Sequence, residues 1–470
     1  MFWENEIPTY RYLDYYFYLK LGIVAVTQRA YLCQKFYKRH VNKIMETKRM
    51  LFYALFSAMV TSPILAVTEA ENKNVKETKL TIGGYGEAVY SRNFFSDNYL
   101  RYTDAKNYKN ESHGRFDLPH VVFFVGYNFG KGWSMGTELE IEHGGTESAV
   151  EIETEEAGEY ESEIERGGEV ALEQFWIQKS FGKAFNIKMG HIIVPVGATN
   201  MHHMPTDFFG VYRPEGENTI MPCTWHETGI SFWGMKKAWR YEAMVLAGLD
   251  SDRFGRMNWI QGGAGSPYEF KIGNALAGAF RVDNYSIKGL RLSVSGYIGN
   301  SFSNTLSRSK KDKFKNVKGT VAIGAFDFGY NDHNWIIRGN FDYGHLSDAQ
   351  LISEYNMGMS KNSPSPKQAV ASDAIAAGIE AGYNIFSQFE KTKNQKLYIF
   401  GRYDYYDSMH KTQGLKYEYC GRNRIAGGIN YFPIKDVVIK GEYSIGLLKS
   451  QYNDEPSVSI GVAYAGLFTK

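Results

Sequence analysis

Residues 458–468, Val-Ser-Ile-Gly-Val-Ala-Tyr-Ala-Gly-Leu-Phe, are the stretch that best predicts the fold of this chain. Side chains alternate between the two faces of an extended strand. One face carries large apolar side chains, namely Val458, Ile460, Val462, Tyr464 and Phe468. The other carries small ones, namely Ser459, Gly461, Ala463 and Ala465. This pattern is typical of a strand with one face in lipid and the other in water, although the last strand of a soluble β-sandwich would also show it.

The composition suits long strands. The chain of 470 residues contains 48 glycines, 34 tyrosines and 30 phenylalanines but only 12 prolines, as expected for twisted strands with aromatic girdles. The net charge of +2 does not suggest a nucleic-acid partner. The three cysteines, Cys33, Cys223 and Cys420, lack metal-ligand spacing, and we expect neither a metal nor a cofactor.

The front of the chain has the parts of a secretory signal peptide. Lys48 and Arg49 are positively charged, a mainly apolar run follows, and Ala70 is a small residue at the expected cleavage position. We therefore expect residues 45–70 to be a signal peptide and residues 71–79 to be a periplasmic linker.

Residues 1–44 precede that signal and show no strand pattern. We expect an over-called start codon, with Met45 as the native start. The alternative is a genuine extension whose apolar part, residues 15–26, is a second anchor.

Residues 80–470 repeat the alternation of the C-terminal strand in sixteen segments. These are 80–92, 117–129, 132–143, 170–181, 184–195, 226–234, 238–249, 271–283, 289–302, 319–331, 334–345, 373–387, 395–407, 420–432, 436–449 and 457–468. Most have the roughly 9 to 14 residues that a tilted membrane-spanning strand needs.

The connections between these segments alternate between long and short. The longer ones are 93–116, 144–169, 196–225, 250–270, 303–318, 346–372, 408–419 and 450–456. Long external loops and short periplasmic turns are typical of barrels in bacterial outer membranes. The sequence therefore predicts an all-β, transmembrane antiparallel β-barrel of about sixteen strands.

The predicted inward faces carry charges of both signs. Glu138, Glu140 and Glu142 share one face of a segment whose other face is apolar. We expect a hydrated lumen wall, because unpaired carboxylates are costly in a dry core. The basic residues predicted for the same wall are Arg291, Arg338, Arg422 and Arg424.

The most specific sequence motifs lie between residues 190 and 249. It includes Gly-His-Ile-Ile-Val-Pro-Val-Gly from residue 190, Arg-Pro-Glu-Gly-Glu from residue 213, and Glu-Thr-Gly-Ile from residue 227. With Gly-Tyr-Gly-Glu from residue 84 and Arg-Phe-Asp from residue 115, it resembles the porin O and P family of Gram-negative outer membranes. The order of strands and loops is similar over about residues 80–468, but the amino-acid sequence itself is recognisably similar only over residues 115–250. It implies a homotrimeric barrel of sixteen strands whose third external loop folds into the lumen.

The third long connection, residues 196–225, is that loop, and it supplies the predicted pore constriction. Its charged or titratable candidates are His202, His203, Asp207, Arg213, Glu215 and Glu217. Phosphate-selective members of the family line this place with arginines and lysines, whereas Arg213 is the loop's single basic residue. We expect weak selectivity, and we expect the two histidines to gain charge as pH falls below about 6.5.

Two other external loops are strongly charged. Residues 147–169 contain ten glutamates and one arginine, which suits a solvated loop or, alternatively, bound calcium. Residues 303–318 are basic, so this loop is either solvated or in contact with anions or lipopolysaccharide.

The sequence does not predict an enzyme. His202 and His203 are adjacent rather than four residues apart, and no nucleophile-elbow motif occurs. We expect a bacterial outer-membrane porin that passes small hydrophilic solutes or ions by diffusion. The alternative is a structural or adhesin-like barrel whose charged loops bind partners.

Overall fold

The computed structural model describes most of the chain from residue 79 onward. The described residues are 79–108, 111–143, 148–152, 162–166, 170–266, 270–305, 312–361, 367–392, 394–414 and 416–469. The predicted signal peptide, the start at Met45 and the linker up to residue 78 lie outside them.

Strands dominate the described residues. They are β1 (Leu80–Asn93), β2 (His113–Asp117), β3 (His120–Gly130), β4 (Trp133–Glu142), β5 (Ser148–Ile152), β6 (Ser162–Arg166), β7 (Val170–Gly182), β8 (Phe185–Ile193), β9 (His226–Lys236), β10 (Trp239–Ala247), β11 (Leu276–Ile287), β12 (Leu290–Asn300), β13 (Thr320–Asp332), β14 (Trp335–Leu346), β15 (Asp373–Asn384), β16 (Lys396–Lys411), β17 (Gly421–Ile434), β18 (Val437–Gly446) and β19 (Ser457–Leu467). The α-helices are α1 (Leu100–Thr103), α2 (Glu215–Ile220) and α3 (Ala349–Met359).

The strands form one closed antiparallel sheet, because β1 pairs with β19 as well as with β3. Strands β2 and β3 both pair with β1 and share one place in the wall. Pro119 lies between them, and proline cannot donate a ladder hydrogen bond. The wall therefore has sixteen places, which confirms the predicted barrel, while β5 and β6 form a separate hairpin.

The last strand has the predicted faces. Ile460 and Val462 are 56% and 47% exposed, whereas Ser459 and Ala463 are buried. Gly461 lies opposite Val89 of β1, so β19 closes the barrel in a defined register. The exposed apolar face is the one that meets lipid in a membrane-spanning strand.

Tight turns and long loops alternate as predicted. Lys131 and Gly132 join β3 to β4 with φ of 53° and 76°, as a two-residue hairpin turn of the primed type requires. The link after β15 differs, because residues 385–395 contain two short 3-10 helices in place of a tight turn. The helices in the long connections were not predicted, and none of the described helices is long and apolar enough to cross a membrane.

Apolar side chains from several long loops pack against the inner wall. Trp225 is fully buried, and its ring centroid lies 4.8 Å from that of Tyr297 on β12. Trp259 and Ile352, from two later loops, belong to the same buried cluster. This cluster fixes the C-terminal end of the third long loop against the barrel.

Candidate functional site

Residues 196–225, the third-loop segment, contact inward-facing side chains on distant parts of the wall. On one side, Gly197 N donates to Ser295 Oγ of β12 at 3.0 Å, and Arg281 Nη1 of β11 donates to Gly197 O at 2.9 Å. On the other side, Lys440 Nζ of β18 donates to Phe208 O at 3.0 Å and to Gly210 O at 2.7 Å. Five strands, β13 to β17, separate β12 from β18 in the sheet.

The segment approaches the wall closely at Gly210. A Cβ atom there would lie 2.2 Å from Arg402 Nη1 and 2.9 Å from Glu442 Oε2. The next residue, Val211, donates its backbone N–H to Glu442 Oε2 at 3.1 Å. The same Cβ atom would lie 2.6 Å from the backbone oxygen of Tyr212, so only glycine fits and the backbone itself forms the contact surface.

An aromatic contact holds the same part of the segment. The ring of Phe209 stacks on Phe400 at 5.3 Å between centroids and lies 5.4 Å from Tyr398. The guanidinium of Arg338 lies 5.2 Å from the Phe209 centroid, within the range of a cation–π contact. Phe209 is therefore an apolar anchor that the analysis of charged residues missed.

Hydrogen bonds within the third-loop segment also hold its parts together. The carboxylate of Glu217 accepts hydrogen bonds from Ala198 N at 2.7 Å and Thr199 N at 2.6 Å. Asn200 donates to Val196 O and accepts from Trp225 N, so it joins the two ends of the segment. Glu217 is only 2% exposed, which makes it first a structural residue of the loop and restricts its predicted role as a pore charge.

His202 and Asp207 are two of the predicted constriction residues that the structure brings together with the predicted wall. They line a cavity of about 380 Å³ together with Arg291 of β12 and Arg338 of β14. Both arginines are paired: Arg291 with Asp327, and Arg338 with Glu380. The cavity therefore presents charges of both signs.

Glu215 connects α2 to the opposite wall. Its Oε1 lies 3.0 Å from Arg424 Nε, and its Oε2 accepts a hydrogen bond from Tyr406 at 2.7 Å. Burial alone would raise the pKa of Glu215, but Arg424 and Tyr406 outweigh burial and hold it below its usual value. Arg422 and Arg424 both pair with Glu455, at 3.4 Å and 3.2 Å, so neither is an unpaired wall charge.

His203 and Arg213 lie on the side of the segment that faces β4 and β7. Arg213 donates to the carbonyl of His203 at 3.2 Å and to Thr224 Oγ1 at 3.3 Å. The predicted wall residues Glu138 and Glu140 are buried here, and Glu142 is partly buried. Arg213 therefore stands next to an acidic patch and does not line the described cavity.

The expectation that the two histidines gain charge just below pH 6.5 is wrong. Burial, with help from Arg291 and Arg281, lowers the pKa of His202 to about 4. Burial, with help from Arg213, lowers the pKa of His203 to about 3. Both imidazoles stay neutral at pH 5.5 because removing a cation from water beside arginines is unfavourable.

Several ion pairs on the wall were missed by the sequence analysis. Arg281, only 1% exposed, pairs with Asp283 at 2.7 Å and with Asp327 at 3.0 Å. Arg402 pairs with Asp404 at 2.7 Å. Residues 281 and 283, like residues 402 and 404, are two positions apart and therefore lie on the same face of a strand. That spacing of opposite charges could have identified both pairs.

The acidic loop between β4 and β7 lies largely outside the described residues. Within it only β5 and β6 are described, as a backbone hairpin. Arg308, Lys310 and Lys311 of the basic loop also lie outside the described residues. The expected calcium or lipopolysaccharide contacts of these loops are therefore untested.

Comparisons with known proteins give one relative in sequence and several structures of similar fold. No family model matches the chain. A protein of Aquifex aeolicus (strain VF5), described only as uncharacterized, is 24% identical over 384 residues, which cover 80% of this chain and 77% of that protein. Salmonella typhi OmpF in complex with daunomycin aligns with a TM-score of 0.51 and 11% identity, over 82% of this chain and 97% of that one. The outer membrane channel DcaP of Acinetobacter baumannii aligns with a TM-score of 0.46 and 10% identity, over 82% and 97%.

The class of protein follows from the closed sheet, the exposed apolar faces and the likeness to OmpF. The chain is a closed antiparallel β-barrel with an exposed apolar face, the architecture that is typical of barrels in bacterial outer membranes. More particularly, its sixteen-place wall is that of the general porin fold.

Proposed function

We propose that this protein is a porin through which small hydrophilic solutes and ions diffuse passively, and that the third-loop segment folds into the lumen as the constriction. The observation that carries the proposal is the set of hydrogen bonds from this one segment to β11 and β12 on one side and to β18 on the other. All these wall residues lie on the buried face of their strands. A loop held from both sides is in a position to narrow a lumen.

The charges around the segment favour weak selectivity. Arg291, Arg338 and Arg402 each pair with a carboxylate of the wall. Lys440 is 2% exposed and donates to two backbone carbonyls of the segment, so it holds the loop and is not presented to solute. Since channel selectivity depends on unbalanced charge at the narrow point, anions such as phosphate pass without a dedicated site.

We also propose the finer relationship to the porin O and P family and a homotrimer in contact with outer-membrane lipid and lipopolysaccharide. The order of the motifs supports it: Pro-Val-Gly follows β8, the long segment comes next, and Glu-Thr-Gly-Ile opens β9. Mass measurement of the detergent-extracted, unheated protein should give three chains. A monomer under mild detergent would contradict this assembly.

Liposome swelling tests the proposed function. Vesicles containing the folded barrel should swell in small sugars and stop swelling above a size limit. Lys440→Met should raise that limit, because it removes both lysine bonds to the segment. Lys435→Met, at an exposed position in the turn between β17 and β18, is the matched control and should behave like the native protein.

A folded barrel that gives no swelling with any sugar would refute the porin and favour the structural or adhesin-like alternative. An unchanged size limit in Lys440→Met would refute the placement of the constriction alone. Folding is checked by the difference in gel migration between heated and unheated samples.

A further inference from the structure

Three metal-ligating side chains converge where the third-loop segment meets β4 and β7. They are Glu138 of β4, Glu173 of β7 and His203 of the segment, and one ligand atom from each lies within 4.8 Å of the others. All three residues are at most 9% exposed. The sequence does not show this group, because the three residues are brought together only by the pairing of β4 with β7 and by the path of the segment.

Glu173 is buried without a well-formed hydrogen bond. It is 0% exposed, and the nearby hydroxyls of Thr224 and Tyr85 do not reach either carboxylate oxygen with normal hydrogen-bond geometry. Glu140 Oε1, in the same patch, is also buried without a partner. The hydroxyl of Tyr85 is a third such group, and the Tyr85 ring lies edge-on to His203 at 5.8 Å. Buried carboxylates without partners are costly, so this patch needs a counter-ion or protons.

Arg213 lies near the patch but does not neutralise it by direct pairing. It donates hydrogen bonds to the carbonyl of His203 and to the hydroxyl of Thr224, at 3.2 Å and 3.3 Å. Its charge therefore offsets part of the negative field of Glu138, Glu140 and Glu173 without bonding to a carboxylate.

The hydrogen bond of His203 leaves one ring nitrogen able to bind a metal ion. Its Nδ1 donates to Asn200 O at 3.1 Å, which leaves Nε2 with the lone pair. Metal-binding histidines commonly donate their second nitrogen to a backbone carbonyl in this way, because that bond fixes the tautomer and the ring orientation. The bond goes to a residue outside the ligand group, so it is independent of the carboxylates.

The donor set identifies the class of ion. Two carboxylates and one imidazole suit Zn²⁺, which binds such ligands at about 2.0–2.2 Å and accepts water as a fourth ligand. Ca²⁺ prefers six to eight oxygen ligands, which this group does not offer. Ligand atoms at about 2.0–2.2 Å from a tetrahedral zinc ion lie about 3.3–3.6 Å apart, so side-chain movements of about 1 Å bring the group into coordination.

We propose that Glu138, Glu173 and His203 form a binding site for a divalent transition-metal ion of the Zn²⁺ class, which joins the third-loop segment to the wall at β4 and β7. The ion replaces the missing partners of Glu173. It also fixes the side of the segment opposite to the contacts with β18. The site stands whether or not the barrel conducts solutes, because it depends on side-chain geometry alone.

Zinc uptake by the folded, detergent-solubilised protein tests the proposal. The native protein is stripped with EDTA, titrated with ZnCl₂ against a chromogenic chelator, and compared with Glu173→Gln and His203→Asn. Each variant should lose one equivalent of tight binding, with affinity lower by about 10–100-fold or more. CaCl₂ should not replace zinc at equal concentration.

His345→Asn is the matched control. His345 is a histidine of the barrel wall on β14 that lies outside the metal-ligating group, and its Nδ1 lies 3.1 Å from Asp373 Oδ1. This variant should keep the full zinc stoichiometry. Loss of the equivalent in His345→Asn but not in His203→Asn would overturn the proposal, as would equal uptake in all the proteins.

A second readout uses the native protein only, so it does not depend on the folding of a variant. Co²⁺ added to the stripped protein should give the visible absorption of a four-coordinate site with a nitrogen ligand, and one equivalent of Zn²⁺ should abolish it. A spectrum like that of Co²⁺ in buffer would overturn the proposal.

Discussion

Replacing Phe341 with arginine should destabilise the barrel strongly, because Phe341 lies on the lipid face near the middle of β14. This strand runs from Trp335 to Leu346, and Phe341 is 48% exposed, opposite Phe326 on one side and Ala377 on the other. An arginine at mid-bilayer on the lipid face costs about 2–4 kcal/mol. The lost lipid contact of a half-exposed phenylalanine adds about 1 kcal/mol.

The sum of about 3–5 kcal/mol corresponds to a loss of two to four orders of magnitude in the ratio of folded to unfolded protein. Two variants of the same strand are internal controls. Asn340→Arg, on the opposite face, should cost no more than about 1 kcal/mol. Ile337→Arg, close to the turn at Trp335, should cost about 0–1 kcal/mol, because the penalty falls toward the membrane surface.

The assay is equilibrium unfolding in urea of the barrel folded into lipid vesicles, followed by tryptophan fluorescence. Equal destabilisation by Phe341→Arg and Asn340→Arg would refute the assignment of the two faces. Equal destabilisation at residues 337 and 341 would refute the depth of β14 in the membrane.

Three further predictions concern the third-loop segment. Glu215→Gln should destabilise the barrel by about 1 kcal/mol in the same urea assay, because the ion pair with Arg424 is lost and the Glu215 side chain is 37% exposed; an unchanged midpoint would contradict that contact. His202→Ala should leave the change in reversal potential between pH 7 and pH 5.5 as it is in the native protein, because the His202 pKa of about 4 keeps the imidazole neutral throughout. Arg281→Met should shift the reversal potential toward cation preference, because one positive charge is removed and Asp283 and Asp327 keep only Arg240 and Arg291 as partners; an unchanged reversal potential would mean that this wall does not face the ion path.

The barrel was predictable because its signals are local. Alternation in residues 458–468 depends only on strand geometry, and the order of long and short links depends only on chain connectivity. The break between β2 and β3 at Pro119 was harder to predict, because apolar and polar residues alternate in the same way in a divided strand and in a continuous one. The helices in the loops were not predictable, because they are short and the wall against which they pack is not visible in the sequence.

The site was predictable only in part. The location of His202, Asp207 and the other charged residues on one long segment follows from counting loops. Which charges meet depends on the register between strands and on the path of the segment, and neither is encoded in a local pattern. Glu173 and Arg281 were missed for that reason. The structural role of Glu217 could not be predicted, because the backbone groups that bond to its carboxylate lie eighteen residues earlier in the chain.

Single-channel recording in planar bilayers tests the central claim most directly. The purified, folded native protein should insert in discrete steps of uniform conductance, and Lys440→Met should give larger steps because the third-loop segment is released from β18. A folded barrel that inserts without conductance steps would contradict the account.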